Sequence, residues 1–166
     1  MDIRIRPAER DRDRKAIWSI MEPILRAGET YPLPRDMSEK AALAYWLSSL
    51  HTTFIAEDIT TGSFVGTYYV RPNYSGGGSH IANCGYMVAE AAQGRGVART
   101  MAQTSIGQAR EMGFRGIQFN FVVASNERAV KLWTSLGFET LARLPKVFDH
   151  PHLNYVDALV MFLDLS

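Results

Sequence analysis

The sequence predicts a single α/β domain built on a mixed β-sheet. Three observations carry this. Apolar spacings of about 2 and 3.6 residues alternate in the order strand, two helices, three strands, helix, strand, helix, two strands. Early strands are joined by a tight turn and later ones through helices, so antiparallel and parallel pairs are both expected. The 166 residues hold no internal repeat and no dividing linker, so 1–166 is expected to be one unit.

The elements follow in order. Ile3 and Ile5 alternate with charged neighbours, as in a half-buried strand ended by Pro7. Ile17, Ile20, Met21, Ile24 and Leu25 recur at three- and four-residue spacing, so 9–27 is an amphipathic helix with Gly28 as its cap. The mixed charges of Arg10 to Lys15 read as its solvated first turn. Pro32 and Pro34 make 30–37 irregular. Ser38 caps a second helix whose buried face is Leu43, Trp46, Leu47 and Leu50. Residues 53–56 and 64–70 form a hairpin about Thr60-Thr61-Gly62. The glycines at 76, 77 and 78 mark a flexible loop. A strand at 81–89, a helix at 94–112, a strand at 116–123 and a helix at 126–136 follow, with Gly113 and Gly137 closing the two helices. Strands at 138–144 and 155–165 end the chain, separated by a loop over 145–154.

Composition removes several classes of function. Lys plus Arg is 18 and Asp plus Glu is 17, a net charge of +1, too balanced for a protein that holds a nucleic-acid backbone. Apolar residues are 46% and charged residues 21%, which excludes a disordered chain. No apolar run reaches the roughly 20 residues that cross a bilayer, and the alternating N-terminus is no signal peptide. Cys84 is the only cysteine, so neither a disulfide framework nor a four-cysteine metal site is available. His150 and His152, two apart in a loop, are too common a pattern to mark a metal. The expectation is a reduced, cytoplasmic protein that handles a small molecule and uses no metal, no nucleic acid and no membrane.

The informative stretch runs from Tyr86 to Arg99, YMVAEAAQGRGVAR. A strand ends near Ala89 and a long helix opens about Gly94. Gly94 and Gly96 let the backbone approach a ligand with no Cβ in the way. The helix start offers unpaired N–H groups and partial positive charge, and Arg95 and Arg99 add cationic donors. Together these suit a diphosphate. A dinucleotide-binding turn would need Gly at position 99, which is Arg, and no Gly-Lys-Ser/Thr loop occurs. A glycine-rich turn with no ligand is the plain alternative.

Gln93-x-x-Gly96-x-Ala98 after a strand resembles the acyl-CoA signature of the GNAT N-acetyltransferase superfamily. Asn126-Glu127-Arg128-Ala129-Val130-Lys131-Leu132-Trp133, ending in Leu136-Gly137-Phe138, is similar to a second segment of that family, and the order of elements agrees. The resemblance implies a mixed, mostly antiparallel sheet flanked by helices, with splayed central strands. It implies acetyl-CoA as co-substrate, held by Met87, Val88, Gln93, Gly94, Arg95, Gly96, Val97, Ala98, Arg99, Asn126, Ala129 and Trp133. The acetyl carbonyl is then expected against the N–H of Val88, an oxyanion-type contact.

Transfer to an amine also needs a proton removed. An amine of pKa ~10.4 is neutral about once in 2,500 molecules at pH 7, a cost of roughly 4.6 kcal/mol unless a base or water chain assists. Glu57, Glu90 and Asp157 are candidate carboxylates. Trp133 stands where the family often places an acidic Tyr, and indole N–H is no useful acid. Its expected role is packing, and a thiol of pKa ~8.5 leaves without one. Asn83, Asn120 and Asn126 resemble the pattern of fungal N-acetyltransferases of azetidine-2-carboxylate and related imino acids. That resemblance implies Asn83 on the substrate carboxylate and Asn120 on the amine or its proton-accepting water, the two expected catalytic residues. Tyr31, Tyr68, Tyr69 and His80 are candidate walls of the acceptor pocket, and Cys84 reads as inert core. The expected function is transfer of acetyl from acetyl-CoA to a small-molecule amine, an amino or imino acid among the candidates. A protein or peptide acetyltransferase and a CoA-binding module without turnover are the alternatives. A homodimer paired through Ala158 to Leu163 is open.

Overall fold

The computed structural model describes all 166 residues, Met1–Ser166. The strands are β1 (Ile3–Pro7), β2 (Thr52–Asp58), β3 (Ser63–Pro72), β4 (Ile81–Val88), β5 (Gly116–Val123), β6 (Glu139–His150) and β7 (Asn154–Asp164). The helices are α1 (Arg10–Ala27), α2 (Glu39–Trp46), α3 (Val97–Glu111) and α4 (Glu127–Ser135). One sheet has the order β1-β2-β3-β4-β5-β7-β6. Every neighbouring pair is antiparallel except β4–β5. That parallel pair is joined by α3, since parallel neighbours need a crossover.

Helices cover both faces. Alternate side chains of a strand point to opposite sides, so Phe54, Tyr68 and Ala82 pack under Val97, Met101 and Trp133 of α3 and α4. Ile55, Tyr69 and Met87 pack under Ile17, Met21, Leu43 and Trp46 of α1 and α2. Trp46 is fully buried, with its indole N–H donating to Thr67 Oγ1 at 2.9 Å. Truncating such a side chain costs about 3–5 kcal/mol.

Several expectations are corrected. Leu50 is 71% exposed, because α2 ends at Trp46 and its apolar face stops at Leu47. The charged run at 10–15 is not wholly solvated: Asp13 is 0% exposed. It accepts two bonds from Arg6 at 2.7 and 2.9 Å, and Arg6 also binds Glu57 at 2.6 Å. This cluster ties β1, β2 and α1 together. Residues 145–154 are largely strand, because β6 continues to His150 through two register shifts. Pro145 is tolerated there because β6 is an edge strand with no neighbour on its outer side. β7 is paired on both sides, by β5 and β6, so its residues Ala158 to Leu163 have no free edge to offer a second copy. No helix is long and apolar enough to cross a membrane.

Candidate active site

The site begins where the sheet opens. β4 and β5 share only two register positions, Ile81–Gly116 and Ala82–Ile117. At the next position the Asn83 side chain takes over, its Nδ2 donating to the Gln118 carbonyl at 2.9 Å. Beyond it the strands part. β5 carries one extra residue between the pairs Phe119–Met161 and Val122–Leu159. A bulge bends its strand, and here it falls at Asn120 and Phe121, beside the gap.

Backbone alternation aims β4 into this gap. Ala89 N–H donates to Val65 C=O at 2.9 Å, so Ala89 faces β3. In an antiparallel ladder the intervening residues then face away. Tyr86 and Val88 therefore direct N–H and C=O toward β5. The Tyr86 carbonyl is taken by the Tyr31 hydroxyl at 2.7 Å, while the Val88 N–H faces the gap.

The gap opens into a cleft of about 780 Å³. One end is walled by Met87, Val88, Gln93, Gly94, Gly96, Val97, Ala98 and Arg99, and from α4 by Asn126, Ala129 and Trp133. α3 starts at Val97, three residues later than expected. Gly94 and Gly96 have φ of 72° and 84°, the left-handed region, which a helix cannot contain and a side chain resists. The turn and the first residues of α3 line the cleft, and the start of a helix carries unpaired N–H groups and partial positive charge. Arg99 donates to Ser135 Oγ at 2.9 Å beside it. Asn126 caps α4, its Oδ1 accepting from Ala129 N–H at 3.3 Å. Arg95 lies outside the cleft lining.

The other end is walled by Tyr31, Tyr45, Tyr69, Arg71, Asn83 and Asn120. Gly85 is needed here, because a Cβ would stand 2.7 Å from the Tyr69 ring. Asn120 and Asn73 exchange amide bonds at 2.7 and 3.2 Å, and Gln118 donates to Asn120 Oδ1 at 2.9 Å. Asn73 is buried and follows Pro72 in a segment that reads as a turn, so nothing local marks it. Arg71 was also not singled out by the sequence. His80 is exposed and outside the cleft lining. Tyr68 points to the α3 face and donates to Gln108 at 2.6 Å.

The three candidate carboxylates lie elsewhere. Glu57 is committed to Arg4 and Arg6. Asp157 is committed to the Lys146 N–H and Arg143, which hold its carboxyl below the usual range. Glu90 is exposed outside the cleft lining. Glu29 is the one carboxylate on the cleft wall, at its rim 3.6 Å from His152. The tyrosines are held protonated: burial pushes Tyr31, Tyr69 and Tyr86 up. Ser105 Oγ donates to the Ala102 carbonyl, so it accepts from Tyr86 at 2.7 Å and that proton is committed. Trp133 packs on Tyr86 and Phe119, with ring centroids 4.9 and 4.8 Å away. Burial pushes the Cys84 thiol up to about 12.

Residues 16–138 match the model of the acetyltransferase (GNAT) family. The chain belongs to the GNAT acetyltransferase family. It is 30% identical over 152 residues to N-acetyltransferase aca1 of Schizosaccharomyces pombe, covering 82% of this chain and 72% of that one. The structure of a GCN5-related N-acetyltransferase from Kribbella flavida superposes with a TM-score of 0.93 at 40% identity, covering 98% of each chain. The fold is shared with yncA of Salmonella typhimurium, solved with its cofactor acetyl-CoA (TM-score 0.85, 22% identity, covering 100% of this chain and 95% of that one). The chain is thus an acyltransferase, and acetyltransferases of this family use acetyl-CoA.

Proposed function

We propose that this protein moves an acetyl group from acetyl-CoA to the amine of a small amino or imino acid within this cleft. The observation that carries the reading is the gap between β4 and β5, with the Val88 N–H turned into it. Acetyl-CoA supplies the activated acyl group as a thioester. The glycine turn and the start of α3 receive the diphosphate, with Arg99 beside them. The cleft also fits the arm between, since Ala129 and Trp133 give that wall an apolar surface. Val88 donates its N–H to the carbonyl oxygen as charge gathers there.

The acceptor lies at the opposite end, against Tyr31, Asn83 and Asn120. Asn120 orients the amine or the water that takes its proton. Trp133 packs and does not transfer a proton. Proline-like imino acids suit a chamber walled by tyrosine rings, whose faces pack on a small saturated ring.

The test is free-thiol release from acetyl-CoA across a panel of amino acids, imino acids, polyamines and peptides. Release with an amino or imino acid is expected, and release with none of the panel overturns the reading. Gly96→Glu sets a carboxylate where the diphosphate is received, so it is expected to lose CoA binding while unfolding cooperatively. Unchanged CoA affinity would contradict the cofactor site.

A further inference from the structure

Arg71 stands at the end of β3, in register with Asn83 across the β3–β4 ladder. It lines the acceptor end of the cleft. It forms no ion pair within the chain. Its Nε is shut away from solvent and has no hydrogen-bond partner. A buried donor left unpaired costs about 1–3 kcal/mol, more when the group is charged. A guanidinium cannot escape that cost by losing a proton.

The surroundings do not neutralise it. His51 stacks on Tyr69 at 4.0 Å, and its Nδ1 lies 3.2 Å from the Trp46 carbonyl. Burial first, and the Arg71 charge with it, hold His51 below its ordinary range. Glu29 is at the rim with His152. The cofactor's diphosphate is also out of reach. From Asn83 to Val88 is five residues of strand, roughly 17 Å at ~3.4 Å each, and the glycine turn lies beyond.

We infer that Arg71 binds the carboxylate of the acceptor, so that the acceptor is an amine carrying an acidic group. This rests on the acetyl-transfer reading of the cleft and names the feature by which substrate is chosen. The outer Nη groups of Arg71 are not shut away as Nε is, and they can set two N–H donors against the two oxygens of a carboxylate. With the carboxylate on Arg71, the amine of an α-amino or α-imino acid is held a fixed short distance away, facing the gap and Asn120. The same charge repels polyamines and free lysine side chains.

The experiment compares matched pairs, each amino or imino acid against its own amide, on protein saturated with CoA so that no turnover occurs. At least one carboxylate, with proline and azetidine-2-carboxylate in the panel, is expected to raise the melting temperature while its amide does not. Arg71→Met is expected to lose that gain and Arg71→Lys to keep a fraction. Both should keep the shift caused by CoA itself, which shows them folded. In turnover, Arg71→Met should raise KM for the carboxylate about 10- to 100-fold, the worth of a charged hydrogen-bond pair. The inference is overturned if no carboxylate shifts the wild-type protein, if the amide matches it, or if the gain survives in Arg71→Met. If Arg71→Met does not fold, the amide comparison and Arg71→Lys decide. Thiol release over the same panel is scored separately. Failure there removes acetyl transfer and leaves the carboxylate site to stand or fall on the melting data.

Discussion

The side-chain amide of Asn83 donates to the Gln118 carbonyl at 2.9 Å, in the register position where β4 and β5 would make their next backbone bond. A side chain thus ends the parallel ladder and begins the cleft. It satisfies a carbonyl that the parting of the strands would leave unpaired.

Asn83→Ala should therefore destabilise the protein by about 1–3 kcal/mol, since the Gln118 carbonyl loses its donor. Asn83→Asp should be worse at pH 7 than at pH 4, because a carboxylate would face that carbonyl and protonation restores a donor. Urea unfolding at the two pH values checks both. Equal stability of Asn83→Ala and wild type would show that the bond does not hold the strands.

Acid should unfold the protein through the Arg6 cluster. Hydrogen bonds from Arg6 hold Asp13 below the usual carboxylate range. Burial pushes Glu57 up, but the bonds from Arg4 and Arg6 outweigh it, and Glu57 is lowered too. Carboxylates depressed in the folded state contribute stability above their unfolded pKa, and it is lost as pH falls through the folded values. Stability should hold near neutrality and fall below about pH 4. Arg6→Met leaves Asp13 charged and enclosed, at about 3–5 kcal/mol near pH 7, and that deficit should shrink in acid. A deficit independent of pH would rule out the ion cluster as its source.

Cys84 should resist alkylation in the native protein. With its thiol pushed up to about 12, the reactive thiolate is about one part in ten thousand at pH 8. Iodoacetamide at pH 8 should leave the folded chain unmodified and label it fully in urea. Rapid native labelling would mean that the cleft exposes the sulfur.

Much of the scaffold is legible along the chain because it is set by local spacing. The apolar rhythm from Ile17 to Leu25 predicts α1, and Ser38 and Asn126 cap α2 and α4 as their residue types allow. Gly94 and Gly96 announce a turn near a helix start, although their left-handed backbone moves that start to Val97. The end of the cleft walled by Asn83 and Asn120 is less legible. Asn83 and Asn120 stand out as amides in apolar strands. Asn73, which bonds Asn120, sits 47 residues away in a segment with no signal of its own. The candidate carboxylates show the same limit from the other side, since nothing near Glu57 reveals that Arg6 occupies it.

The chain's own order of residues thus establishes the family, the α/β class and the glycine turn before α3, all of which depend on neighbours a few positions apart. Folding alone decides how far β4 and β5 stay paired, that Asp13 is enclosed, and that Arg71 faces the cleft without a counter-charge. Those outcomes depend on which distant groups become neighbours. A buried amide or guanidinium is costly or satisfied according to what stands within hydrogen-bond reach, and spacing along the chain does not encode that reach.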